Sequence, residues 1–233
     1  MSGAQAVALD VDGTLVTLRA SVGELYSEAL QGCGISLSPA VLNVALARAW
    51  QSFETEYLNS QANYATSVPR EVILWHEFVR RTLESCEAGL GERRELLAAV
   101  YSFFARGASR RVVPGALETC RALAAAGIKV IAATNNDIRT KQVLDELGLS
   151  SSLTCVVTAG EIGWKKPSPK FFEAIARMVA VPLDEMLHVG NSRRLDVDAA
   201  RQAGMRGLLY DPEGAGGVDA LSDLRALAAE CIR

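Results

Sequence analysis

From residue 128 onward the chain alternates short apolar runs with helix-forming segments, and this alternation restricts the fold more than any other feature. The runs at 128–133, 154–158, 186–190 and 207–210 lack a polar face. Parallel strands covered on both sides read this way, whereas a half-exposed antiparallel strand would alternate. Helix signals fill the gaps. Pro114-Gly115 opens one segment and Gly127 closes it; Asn136 or Asp137 can cap the next, which Gly148 ends. Ser168 precedes Pro169 as an N-cap before a first-turn proline, and Ser192 precedes a segment closed by Gly204. Such repetition predicts right-handed βαβ units on a parallel sheet, with a further strand at 5–9.

Residues 18–110 break the pattern. They hold no convincing strand, but several amphipathic stretches: Leu42, Leu46, Ala49 and Phe53 share a face, as do Val72, Trp75 and Val79, and Leu96, Val100 and Phe103. The predicted class is therefore α/β, with a core domain from 1–17 and 111–233 and a helical insert at 18–110. Hinges are expected near 16–19 and 109–114, and the Gly-rich 213–217 reads as a loop.

Composition removes several functions. With 24 Lys plus Arg against 27 Asp plus Glu, the net charge of −3 offers no electrostatic footprint for nucleic acid or an anionic membrane. The five cysteines, Cys33, Cys86, Cys120, Cys155 and Cys231, form no CxxC pair, which argues against a zinc ribbon or a disulfide framework. The N-terminus has no basic region before its apolar run, and no stretch of about 18 apolar residues occurs. A soluble cytoplasmic protein, monomeric or homodimeric, is expected.

The chemistry is concentrated at residues 6–15, Ala-Val-Ala-Leu-Asp-Val-Asp-Gly-Thr-Leu. Asp10 and Asp12 lie just beyond the carboxyl end of a buried strand, the edge where open α/β sheets bind ligands. Two carboxylates this close repel unless a cation neutralises them, and the oxygen-seeking Mg2+ suits. A calcium loop does not fit, because Leu15 and Ser21 stand where it needs glycine and glutamate.

This segment resembles the first motif of the haloacid dehalogenase (HAD) superfamily, and three further motifs of that family follow in order. Residues 130–135, Val-Ile-Ala-Ala-Thr-Asn, match the second. Lys166-Pro167-Ser168-Pro169-Lys170-Phe171-Phe172 matches the third. Residues 188–196 match the fourth, with Asn191 where the family has aspartate. The resemblance implies a Rossmann-like parallel-sheet HAD core with an inserted α-helical cap of the C1 type, in the HDHD3-like (REG-2-like) group of subfamily I.

It also implies a phosphatase with a small phosphorylated metabolite as its partner. Asp10 would be the nucleophile that forms an aspartyl-phosphate, and Asp12 the general acid and base, its backbone carbonyl also facing the metal. Thr134 and Asn135 would bind substrate, and Lys166 would neutralise the transferring group. Asp10, Asp12, Asn191 and Asp196 would hold Mg2+, Asp196 through water or by orienting its neighbours.

Two other readings stay open. A metal-free 2-haloacid dehalogenase would use Asp10 against carbon, but that group carries an aromatic residue at the position of Asp12. Asn191 points towards dehalogenases, although their spacing to the next aspartate is shorter than Asn191 to Asp196. A degenerate binding or regulatory protein is the other reading.

Lys165 is expected to be a solvated surface lysine, and His188 a structural rather than catalytic histidine. His76 is not part of HExxH, and no Walker A or nucleophile elbow occurs. Within the insert, Arg19, Tyr57, Tyr64, Trp75 and His76 are specificity candidates by residue type.

Overall fold

The computed structural model describes residues 3–214 and 220–231; of the expected loop at 213–217, the last three positions lie outside the described residues. Six strands form one parallel sheet in the order β5 (Cys155–Thr158), β4 (Lys129–Thr134), β1 (Ala6–Leu9), β6 (Met186–Gly190), β7 (Arg206–Tyr210), β8 (Ala220–Leu221). In register, Leu9 lies beside Ala132 on one side and Val189 on the other. The carboxyl ends of β1, β4 and β6 thus emerge together.

The apolar runs lack a polar face because both faces are covered. On one face Val7, Leu9, Val130, Ala132, Leu187 and Val189 join a core with Cys120 and Leu123 of α5 (Ala116–Ala125), Leu144 of α6 (Arg139–Glu146) and Leu227 of α10 (Arg225–Cys231). The alternate residues Ala6, Ala8, Ile131 and Ala133 pack on the other face against Phe171, Phe172 and Ile175 of α8 (Pro169–Val179). Small side chains in β1 let bulky phenylalanines approach the sheet on that side. Asp137 serves α6 as expected, its Oδ1 accepting from Arg139 N–H at 3.0 Å, and Ser192 Oγ accepts from Leu195 N–H at the start of a π-helical turn over Arg193–Asp198.

Between β2 (Val16–Leu18) and β3 (Arg110–Val112) the chain makes four longer helices, α1 (Val22–Gln31), α2 (Pro39–Leu58), α3 (Val68–Cys86) and α4 (Arg94–Phe103). Ser21, Ser38 and Ser67 cap the first three through their hydroxyls. Their apolar faces meet in a separate core around the fully buried Phe53, Leu42, Leu83 and Leu96. The two flanks expected to be hinges pair with each other, Val16 opposite Val112 and Leu18 opposite Arg110, in an antiparallel ribbon. A short α7 (Ala159–Ile162) and α9 (Ala199–Gln202) complete the core. Among the described residues no helix is long and apolar enough to cross a membrane, and all five cysteines are free thiols.

Candidate active site

Asp10 continues the β1 ladder, its N–H donating to Val189 O at 2.9 Å, and the chain then turns sharply as the N–H groups of Thr14, Leu15 and Val16 all donate to Val11 O. Gly13 turns at φ +85°, and a Cβ there would lie 2.1 Å from Asn191 Nδ2. Glycine is required twice, for the left-handed backbone and for the approach of Asn191. The end of β6 is thereby set against the Asp10–Asp12 loop.

Lys166 is the hub. Its Nζ lies 2.6 Å from Asp10 Oδ1 and 2.6 Å from Asp196 Oδ1. His188 Nε2 meets the same Asp196 oxygen at 3.0 Å, and Ser192 N–H donates to Asp196 Oδ2 at 2.9 Å. Burial depresses the His188 pKa, so the ring is neutral and Nε2–H donates. As expected, this histidine is structural: it packs edge-on against Phe172 and orients Asp196.

Charge balance among these groups follows from depth. Burial raises the Asp10 carboxyl to about 7, with Lys166 drawing it down and Asp196 and Asp12 pushing it up. Burial would raise Asp196 too, but Lys166 and His188 hold it well below the usual range. Lys166 is desolvated yet flanked by two carboxylates, and their attraction prevails, keeping it charged. In the metal-free protein, a carboxyl-13C titration should therefore show one aspartate titrating near 7 that Asp10→Asn removes; an aspartate set confined below 5 would contradict the burial argument.

Asp12 leaves the core and faces the cleft. Its Oδ1 accepts from Arg110 Nε at 3.1 Å, and its Oδ2 accepts from the Asn136 amide. Neither Arg110 nor Asn136 was singled out as a functional residue from sequence. Arg110 sits in a ribbon 98 positions away, and Asn136 reads equally well as a helix cap. Thr134 is buried at the end of β4 with Oγ1 accepting from Asn136 N–H at 3.0 Å, which leaves its own hydroxyl proton to donate. Asn135 was expected to bind substrate, but its side chain is engaged at both ends: Oδ1 accepts from Lys166 N–H (2.7 Å) and Nδ2 donates to Lys166 O (2.9 Å). It braces the lysine loop.

The expectation for Lys165 is overturned. This lysine is wholly buried, 2.7 Å from Glu71 Oε2 on α3 and 3.3 Å from the centroid of the Tyr57 ring. Burial pulls its pKa down to about 8, with Glu71 opposing. Around it the Thr66 hydroxyl also bonds Glu71, Lys165 N–H donates to Tyr64 O (2.9 Å), and Tyr57 OH donates to Asn135 O (2.9 Å). The helical insert is thus fastened to the loop that carries Lys166. Of the other candidates in the insert, Arg19 pairs with Glu28, and His76 stacks on Tyr101.

The donors left for a cation are Asp10 Oδ2, which has no hydrogen bond among the described residues, the Asp12 carbonyl and the Asn191 amide oxygen. These are hard oxygen ligands and fit Mg2+. Asp196, expected in this set, has both oxygens engaged elsewhere, and among the described residues no three His, Cys, Asp or Glu side chains are grouped so that they could hold a metal ion. The remaining set carries one full negative charge.

A carboxylate at the end of the first strand, a hydroxyl at the end of β4, and a lysine and a carboxylate from the next two crossovers all lie within the span matched by one protein family. Its model, haloacid dehalogenase-like hydrolase, matches residues 4–204. The chain belongs to the haloacid dehalogenase-like hydrolases. This hydrolase is 26% identical over 203 residues to haloacid dehalogenase-like hydrolase domain-containing protein 3 of Bos taurus, covering 86% of this chain and 79% of that one. It is 31% identical over 133 residues to a phosphoglycolate phosphatase of Pseudomonas savastanoi pv. phaseolicola (strain 1448A / Race 6), covering 54% and 48% of the two chains. In fold it matches the defluorinating L-2-haloacid dehalogenase Rha0230 with a TM-score of 0.80 at 14% identity, over 100% and 99% of the chains.

Proposed function

We propose that this hydrolase is a Mg2+-dependent phosphatase that acts on a small phosphomonoester through an aspartyl-phosphate on Asp10. The observation that carries the reading is Asp12, a carboxylate two residues beyond the nucleophile, held toward the cleft by Arg110 and Asn136. Displacement at carbon with halide as leaving group needs no proton at this position; release of an alkoxide does.

Asp10 attacks phosphorus as the carboxylate, with Lys166 beside its Oδ1 to offset charge that develops on the phosphoryl oxygens. The Thr134 hydroxyl donates to one of those oxygens. With substrate bound, Asp12 acts first in its protonated form, giving that proton to the leaving alkoxide oxygen; the carboxylate so formed then takes a proton from the water that hydrolyses the acyl phosphate. Asp196 does not touch the reacting atoms; with His188 and Ser192 behind it, it holds Lys166 in place. Asp10, the Asp12 carbonyl and Asn191 would hold Mg2+, which supplies further neutralisation of the phosphoryl charge.

The test is phosphate release from p-nitrophenyl phosphate with and without chelator. Loss on chelation supports the reading. Chelator-insensitive halide release from a 2-haloacid establishes the dehalogenase instead, and inactivity on every phosphoester tried favours a binding role.

Asn191 sharpens the metal requirement. Mg2+ gives up its waters reluctantly and relies on carboxylate charge, and here an amide replaces one carboxylate. Asn191→Asp is expected to lower the Mg2+ concentration for half-maximal rate by roughly ten- to a hundredfold, the size of one close charge at intermediate dielectric. Calorimetric Mg2+ binding should tighten in parallel. An unchanged or weaker affinity would remove Asn191 from the metal shell.

A further inference from the structure

Between the helices of the insert and the loops after β1 and β4, with the β2–β3 ribbon and the start of α6, lies a cavity of about 580 Å³, a size suited to a small-molecule ligand. Asp12 borders it. Most of its wall is apolar, with Leu46, Trp50, Trp75, Phe78, Val100 and Phe104 contributed by the insert. Four charged side chains line it, and they are paired off. Arg110 is held by Asp12; Arg139 bonds Asp137 at 2.9 Å, donates to Tyr101 O at 2.9 Å and stacks 3.7 Å from the centre of the Tyr101 ring. Neither arginine on this wall is unpaired in the structure, and Asn43 Oδ1 is already taken by Gly23 N–H.

We infer that this cavity receives the leaving group, so that the preferred substrate is the phosphate ester of a bulky apolar alcohol rather than of a sugar or a hydroxy acid. The inference rests on the phosphatase reading above. Asp12 is the residue that must reach the leaving oxygen, so the carbon attached to that oxygen has to enter the space Asp12 borders. A polyhydroxylated or carboxylated group placed there would lose water and find both arginines paired, with little beyond the Trp75 Nε1–H left to bond it, while an alkyl or aryl group would bury surface against rings.

The experiment is a series of n-alkyl phosphates from ethyl to octyl, assayed with Mg2+ beside p-nitrophenyl phosphate, phosphoglycolate and glucose 6-phosphate. Each methylene that enters the cavity should raise kcat/KM about two- to fourfold, so octyl phosphate should exceed butyl phosphate by roughly 20- to 200-fold. Ala47→Trp, on the exposed side of α2 at the cavity wall, should bring the octyl-to-butyl ratio close to one. Binding can be followed without turnover. In Asp10→Asn, octyl phosphate should perturb the fluorescence of Trp50 and Trp75 at concentrations where butyl phosphate does not.

Hydrolysis with a flat chain-length profile, or a preference for phosphoglycolate or glucose 6-phosphate, overturns the apolar-pocket assignment and leaves the phosphatase standing. Hydrolysis of none of the esters, p-nitrophenyl phosphate included, overturns the phosphatase reading and the substrate class with it.

Discussion

Asp10→Asn is expected to reduce p-nitrophenyl phosphate hydrolysis by at least about 10⁴-fold, as loss of a covalent nucleophile does elsewhere. The amide still fits the site and can accept from Lys166, so the variant should fold. Its stability should move the other way from its activity. Burial raises the Asp10 carboxyl from 3.8 to about 7, so the folded protein binds a proton that the unfolded chain releases above pH 4. Stability linked to that proton is present below pH 3.8 and disappears as pH rises through 7. The asparagine variant has no such dependence. It should melt above the wild type at pH 8, with the gap closing as pH falls below 7. A variant that melts lower at pH 8 would show that Lys166 compensates the Asp10 charge completely, and retained turnover would show that Asp10 is not the nucleophile.

The second large effect concerns stability. Lys165 and Glu71 are both fully buried and meet at 2.7 Å across the join between insert and core. Removing one partner leaves a charge stranded away from water, which costs about 3–5 kcal/mol. For a chain of this size, roughly 2–4 °C per kcal/mol gives a fall in Tm of about 6–20 °C for Glu71→Leu. Replacing both, Glu71→Leu with Lys165→Met, should recover most of the loss, because the desolvation penalty is removed together with the attraction. A double variant as unstable as the single one would mean that packing around Tyr57 and Thr66, rather than charge, carries the effect. The pair also bears on catalysis. Lys165 precedes Lys166, so loosening the latch should lower kcat for esters of every size, whereas a purely thermal defect would leave kcat intact at low temperature.

The residues that sequence alone located share a property: their chemistry depends on local position. Continuous apolar runs identify strands covered on both faces, and ligand-binding residues in such sheets stand just past strand ends. Asp10 and Asp12 are legible on that ground, Thr134 and Lys166 through the motifs that resemble the family's, and the parallel sheet brings their chain segments together. The alternation of β1 between Ala6 and Ala8 on one side and Val7 and Leu9 on the other likewise separates two cores before any helix is placed.

What lay beyond sequence is what depends on a distant partner. Lys165 and Lys166 are adjacent and chemically identical, yet Lys166 reaches Asp10 and Lys165 reaches into the insert, as the chain leaves its bridge at Trp164 and turns, Ser168 N–H donating to Lys165 O. Glu71, 94 residues away, carries no mark that distinguishes it from any helical glutamate. Asp196 sits at its motif position but proves to be bound up with Lys166, His188 and Ser192, and Asn135 braces a loop instead of facing the cleft. Local pattern set the sheet, the helical insert and the candidates for the reacting groups, since burial periodicity and strand ends are properties of neighbouring residues. Tertiary packing alone decided which carboxylates remain free, that Lys165 is buried against the insert and how apolar the cleft is, since each of those depends on residues far away in the chain.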